Sequence, residues 1–200
     1  DAGRFQLFDR EFHNTYALKL DYTGDSYYLS LIPSYQDGGE KFRLGYIGQW
    51  NVTDALLIYS EGSVIERGGD FSLLFGGSYT LEQGGTFALE YFHHDDRCTL
   101  ESVSLCLTEQ YQDKPVGTFL RKDYLQFQYY DVEIFNSLDL VLRWTHGLSD
   151  HSNFAVGYLQ YHVDDHMQLF SVVSGGIGGK GDELSGILDY SVILGAGYSF

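Results

Sequence analysis

The stretch Tyr190-Ser-Val-Ile-Leu-Gly-Ala-Gly-Tyr-Ser-Phe200 constrains the fold more than any other. Tyr190, Val192, Leu194, Ala196, Tyr198 and Phe200 form one apolar row, and Asp189, Ser191, Ile193, Gly195, Gly197 and Ser199 form a smaller, more polar one. A period of two means a β-strand with chemically different faces. Soluble strands usually end after about five or six residues. This alternation continues for about eleven, the length of a tilted strand that crosses a bilayer.

The same pattern recurs upstream. Tyr16, Leu18, Leu20 and Tyr22 alternate with Ala17, Lys19 and Asp21, and Tyr27, Leu29 and Leu31 follow a Thr-Gly-Asp turn at 23–25. Pro33 marks the end of that strand, because proline removes a ladder donor. Further strands are expected at 42–50, 55–64, 71–81, 87–91, 125–130, 138–145, 154–163 and 167–173. Within 55–64, Leu56, Ile58 and Val64 are assigned to the apolar row because the other carries Glu61; the register of 154–163 is not fixed by pattern. Residues 4–11 are weakly patterned, as is the whole of 1–14, and offer a twelfth strand. The expected fold is all-β: an antiparallel up-and-down transmembrane β-barrel in a single domain, 1–200, with eleven or twelve strands in this chain, either complete or part of a larger barrel.

Composition supports β structure. There are 17 Tyr, 14 Phe and 24 Gly but 2 Pro and 1 Met, a bias toward strands and tight turns. No apolar run reaches the length of a transmembrane helix. The net charge of −16 argues against nucleic acid as a partner, since phosphate binding needs clustered Lys and Arg. In a channel it favours cations.

Alternation does not say which face is wet: a soluble sandwich hides its apolar row, and a membrane barrel displays it. Three features favour display. Strands are long. Counting back from a last strand that ends at the periplasm, the long segments 93–120 and 174–186 become extracellular loops, whereas 23–25, 51–54, 82–85 and 163–166 become short periplasmic turns. Aromatics such as Tyr22, Tyr27, Trp50, Phe71, Tyr79, Phe87 and Trp144 gather near strand ends, as interfacial girdles do. The polar rows then line a lumen, with Lys19, Arg43, Glu61, Glu90, Gln126, Gln128, Asp139 and Arg143 as pore-lining candidates.

The terminal Gly-x-x-aromatic-x-aromatic pattern, carried by Gly195, Tyr198 and Phe200, resembles the C-terminal assembly signal of Gram-negative outer-membrane β-barrels. Phe75-Gly-Gly-Ser-Tyr-Thr-Leu81 with Thr86-Phe-Ala-Leu-Glu-Tyr-Phe92, then Leu142-Arg-Trp-Thr-His-Gly-Leu-Ser-Asp-His-Ser152, then Asp182-Glu-Leu184, resemble the C-terminal half of porin-like outer-membrane proteins over roughly residues 70–200. The resemblance implies an integral outer-membrane address, contact with outer-membrane lipid, and barrel-assembly machinery as a partner in biogenesis. A homo-oligomer or a periplasmic partner is also compatible with it.

Cys98 and Cys106 share one polar segment, a spacing that fits a disulfide in an oxidising compartment. No cofactor or metal is expected, although His93-His94-Asp95-Asp96 offers cation ligands in kind. The expected function is a porin-like channel, not an enzyme, passing small solutes or ions through a polar lumen. Two alternatives stand beside it. His146, His151 and Ser152 resemble the elements of outer-membrane lipid hydrolases, although His151 and Ser152, as neighbours, point to opposite faces of an extended strand. A non-conducting barrel would instead act as a scaffold or as a sheath for a partner.

Overall fold

A computed structural model describes residues 14–37, 41–66, 70–95, 97, 106, 119–179, 182–186 and 189–199. The expected strand at 4–11, Cys98 and Phe200 lie outside them.

The described residues form one antiparallel sheet. Its strands are β1 (Thr15–Ala17), β2 (Leu20–Thr23), β3 (Tyr27–Gln36), β4 (Lys41–Asn51), β5 (Leu56–Ile65), β6 (Phe71–Thr80), β7 (Thr86–His94), β8 (Asp123–Ile134), β9 (Leu138–Gly147), β10 (Asn153–His162), β11 (Met167–Ile177) and β12 (Tyr190–Tyr198). Each strand from β4 to β12 pairs with its predecessor, β4 with β3, and both β1 and β2 pair with β3. The expected all-β, up-and-down architecture is therefore present. From β3 onward the strands are nine to twelve residues long, close to the ~9–11 that a tilted strand needs to cross a bilayer. Among the described residues no pairing joins β12 to β1 or β2, so the sheet has two open edges.

Three boundaries differ from the sequence expectation. Pro33 does not end its strand: β3 runs on to Gln36, and Pro33 lies opposite Leu44. The effect falls on the other neighbour. Leu18 donates its N–H to the Pro33 carbonyl at 3.0 Å, but Pro33 has no N–H to return. The ladder lacks one rung there, and the first strand is split into β1 and β2 on either side of Leu18 and Lys19. Second, His93 and His94 complete β7 instead of opening a loop. Third, Ser174–Ile177 belong to β11, and the segment after it contains a short helix, α1 (Glu183–Gly186).

Register fixes the faces. Directly opposed residues share a side. Following the pairs from Leu29–Gly48 through Trp50–Ile58, Ile58–Gly77, Gly77–Leu89, Leu89–Phe127, Phe127–Trp144, Trp144–Ala155, Leu159–Ser171 and Val173–Val192 traces one continuous apolar face. Leu56, Ile58 and Val64 lie on it, as expected. In β10 the same face takes Ala155, Gly157, Leu159 and Tyr161.

Packing is inverted relative to a soluble protein. Among the described residues thirty-six large hydrophobic side chains are exposed, whereas the buried hydrophobic ones are Cys106, Leu120 and Tyr124. A soluble sandwich buries such a row between two sheets; here the described residues form a single sheet and the row stays exposed. On the apolar face Tyr46 stands across from Gly62, and on the other face Tyr59 stands across from Gly76 and Phe170 from Gly195. In each pair the ring lies where a side chain on the glycine would sit, which fills the gap that glycine leaves in a strand.

Candidate functional site

The second face is a cross-strand hydrogen-bonded wall. Tyr59 Oη donates to Glu90 Oε1 at 2.5 Å, and Gln126 Nε2 donates to Glu90 Oε2 at 3.1 Å. Thr145 Oγ1 donates to Gln126 Oε1 at 3.4 Å. One inward position along, Arg143 donates through Nε and Nη2 to Gln128 Oε1 at 3.0 and 2.7 Å. Toward the strand ends, His162 Nε2 and Asp139 Oδ2 are 3.0 Å apart, and Gln160 Nε2 donates to Gln168 Oε1 at 2.8 Å. A cavity of about 200 Å³ opens against this wall, lined by Tyr59, Ser78, Glu90, Gln126, Gln128 and Tyr130.

All eight pore-lining candidates fall on this face. Glu90, Gln126, Gln128 and Arg143 belong to its central network. Asp139 pairs with His162, and Lys19 reaches Asp21 at 3.2 Å near the first edge. Arg43 and Glu61 stand on β4 and β5 without joining that network. Of the terminal pattern, Gly195 lies under the Phe170 ring and Tyr198 is exposed on the apolar face.

The sheet has two unlike rims. The short connections 24–26, 52–55, 81–85, 135–137 and 163–166 lie at one end. β3, β5, β7, β9 and β11 end at the other, the loop rim. Left-handed backbones occur at Glu133, where the β8 register is irregular, and at Phe135 and Asn136 in the β8–β9 connection.

At the loop rim sits a buried cluster that sequence reasoning missed. Arg121, Ser152, Glu183, Tyr124 and Cys106 are all buried. Glu183 accepts hydrogen bonds from the backbone N–H of Leu120 at 2.7 Å and of Arg121 at 3.1 Å, and from the Tyr124 hydroxyl. Asp150 Oδ2 accepts from Arg121 Nε at 3.3 Å and from the Glu183 N–H at 3.0 Å. Asp150 Oδ1 accepts from Ser152 Oγ at 2.7 Å. Tyr124 is on the polar face, so its bond to Glu183 ties α1 to that side of the loop rim. No local signal announces the cluster, because its partners come from four separate segments of the chain.

The two carboxyl groups are tuned in opposite directions. Burial pushes the Glu183 carboxyl above its ordinary range, and the nearby Asp150 charge adds to that rise; the hydrogen bonds to Glu183 resist it without reversing it. Burial works in the same sense on Asp150. There, hydrogen bonds from Ser152 and the Glu183 amide, together with the Arg121 charge, hold the carboxyl below its ordinary range.

The histidines make structural contacts. His93 Nδ1 is 2.6 Å from Asp123 and its Nε2 is 3.0 Å from Asp95; His94 Nδ1 is 3.2 Å from Asp70. Among the described residues no group of three or more His, Cys, Asp or Glu side chains is arranged to hold a metal. Asp96 lies outside those residues. Among the described residues His146, His151 and Ser152 are not joined in a triad. Ser152 gives its hydroxyl to Asp150, His146 Nδ1 lies 2.9 Å from Asn153, and His151 occupies a left-handed turn position. Cys106 is wholly buried. Since Cys98 is outside the described residues, their pairing stays a proposal.

No protein-family model matches the sequence, and no curated protein matches it. Among solved structures, the NanC porin in a rhombohedral crystal form is similar over 93% of this chain and 93% of that chain, at 10% sequence identity and a TM-score of 0.45.

Proposed function

We propose that this sheet is wall from an outer-membrane β-barrel and that its polar face lines a diffusion channel for small solutes or ions. One observation carries the reading: the large apolar side chains form the exposed face, and the hydrogen-bonded polar side chains form the other. In water this arrangement leaves the hydrophobic effect unused. In a bilayer it satisfies both faces, with backbone groups paired inside the ladder. Glu90 and Asp139 supply negative charge to the lumen and Arg143 supplies positive charge, within a chain of net charge −16. This combination supports weak cation preference.

The test is conductance of the purified protein in a planar bilayer under a salt gradient. Discrete steps with a cation-selective reversal potential, reduced in Glu90→Gln, support the channel. A heat-modifiable, folded protein that stays electrically silent refutes it and leaves a scaffold or sheath. Disulfide pairing of Cys98 with Cys106 is part of the same proposal, and an exported barrel whose two thiols alkylate fully without reductant would reject it.

A further inference from the structure

We infer that the cavity beside Glu90 on the polar face is a subsite for a small organic ammonium ion. The inference rests on reading this face as a water-filled lumen, and it names the class of solute that the wall holds there.

Charge is the first argument. Glu90 is the middle residue of β7, halfway up the wall. Among the described residues no Lys or Arg forms an ion pair with it. Arg143 is held apart by the intervening strand. Gln126 of β8 donates to Glu90, whereas Gln128, two residues on, accepts from both Nε and Nη2 of Arg143. Glu90 is therefore the charged residue that lines the cavity, and Arg143 does not line it. A carboxylate has about four acceptor positions. The Tyr59 hydroxyl and the Gln126 amide use one on each oxygen, which leaves acceptor capacity for a cation in the cavity.

Shape is the second argument. Ser78 and Ala88 are directly opposed on β6 and β7, and their short side chains leave a recess of about 200 Å³ among larger neighbours. Tyr59 and Tyr130 both line it. The Tyr59 ring lies across Gly76, where a Cβ would meet it at 2.8 Å, and its hydroxyl is tied to Glu90 at 2.5 Å. The ring is thereby fixed beside the carboxylate. An alkylammonium needs this combination: an anion for its charge, and aromatic faces with a methyl group, here Ala88, for its carbon substituents. The volume is below the roughly 300–1,000 Å³ of pockets for drug-sized ligands, which sets the solute at a few carbon atoms.

Other solutes fit less well. A hard inorganic cation such as calcium seeks about six to eight oxygen ligands. Here one carboxylate lines the recess, and the carbonyl oxygens of Gln126 and Gln128 already accept from Thr145 and Arg143. An anion would meet Glu90 with no cationic side chain in the lining. A neutral polyol would leave the charge of Glu90 unanswered.

The test is calorimetric titration of the detergent-folded full-length protein with choline chloride at fixed ionic strength, with sorbitol as the neutral probe. Saturable choline binding is expected, with none for sorbitol. Glu90→Gln should weaken it about tenfold and Tyr130→Leu, which keeps an apolar side chain and removes the π face, about threefold. Asp54→Asn removes the same unit of charge from an exposed turn and should leave the affinity unchanged. Absence of saturable choline binding overturns the inference. So does binding that Glu90→Gln leaves intact, that Asp54→Asn weakens equally, or that sorbitol reproduces. If Glu90→Gln does not fold, Tyr130→Leu carries the decision, and unchanged affinity there overturns the inference. Planar-bilayer recording separates the two readings. A protein that binds choline through Glu90 but conducts no current keeps the subsite and loses the channel, whereas a conducting protein without choline binding keeps the channel and loses the subsite.

Discussion

Replacing Glu183 by alanine should release the loop rim and leave the wall intact. The carboxylate takes the N–H groups of Leu120 and Arg121 and the Tyr124 hydroxyl, all three from buried residues. Removing one partner of a buried polar network costs about 3–5 kcal/mol, because each orphaned donor loses its bond without regaining water. At about 1.4 kcal/mol per factor of ten, the opening equilibrium of this cluster should rise by roughly two to three and a half orders of magnitude. Amide hydrogen exchange resolves it. Leu120, Arg121 and Leu184 should lose that much protection, while amides in β4 and β5, whose ladder partners lie outside the cluster, should change little. Heat-modifiable migration should persist. Unchanged exchange at Leu120 and Arg121 would refute the assigned role of the carboxylate. Loss of the whole sheet would refute the separation of rim from wall.

Other consequences follow from the two faces and the two tuned carboxyls. Leu142→Arg, on the exposed apolar face of β9, should lower the folded fraction in lipid by about 2–4 kcal/mol, whereas Gln128→Arg on the opposite face should cost far less; urea titration of refolded protein compares them. Gly76→Val would put its Cβ 2.8 Å from the Tyr59 ring and 3.0 Å from Glu90, and should destabilise by about 1–3 kcal/mol while changing single-channel conductance. For pH, the sign differs between the two carboxyls. The Glu183 contribution is fully present below its ordinary value of 4.5 and is lost as pH rises through its raised value. The Asp150 contribution is present above 3.8 and is lost as pH falls through its lowered value. Protection of the Leu120 amide, after correction for intrinsic exchange, should therefore be greatest near pH 4–5 and should fall on either side. A monotonic profile would reject the opposed tuning.

The wall was legible in sequence because each strand carries its own evidence. Period two needs no knowledge of neighbours, so the strands and the polar-row residues Glu90, Gln126, Gln128 and Arg143 could be read one at a time. β10 resisted because both of its rows mix apolar and polar residues; only pairing with Trp144 and Leu142 settles its faces. Pro33 misled for a related reason. A missing donor is tolerated or disruptive according to which neighbour it faces, and that is a property of the pair. The rim cluster was least legible. Arg121 and Asp150 are separated by 29 residues, and Tyr124 and Glu183 by 59. Each looks like an ordinary loop or strand-end residue until the chain brings them together.

The missing rung at Pro33 also sets how the first edge opens. β1 and β2, three and four residues long, are held to β3 on either side of a position where one hydrogen bond cannot form. A continuous ladder frays from its ends and must lose its rungs in order. This one has an internal starting point, so the Thr15–Ala17 half can peel away while Leu20–Thr23 stays zipped. The edge behaves as two short fasteners in series. Opening at the loop rim therefore need not propagate to the short-turn rim, and the two halves should exchange their amides on separate timescales.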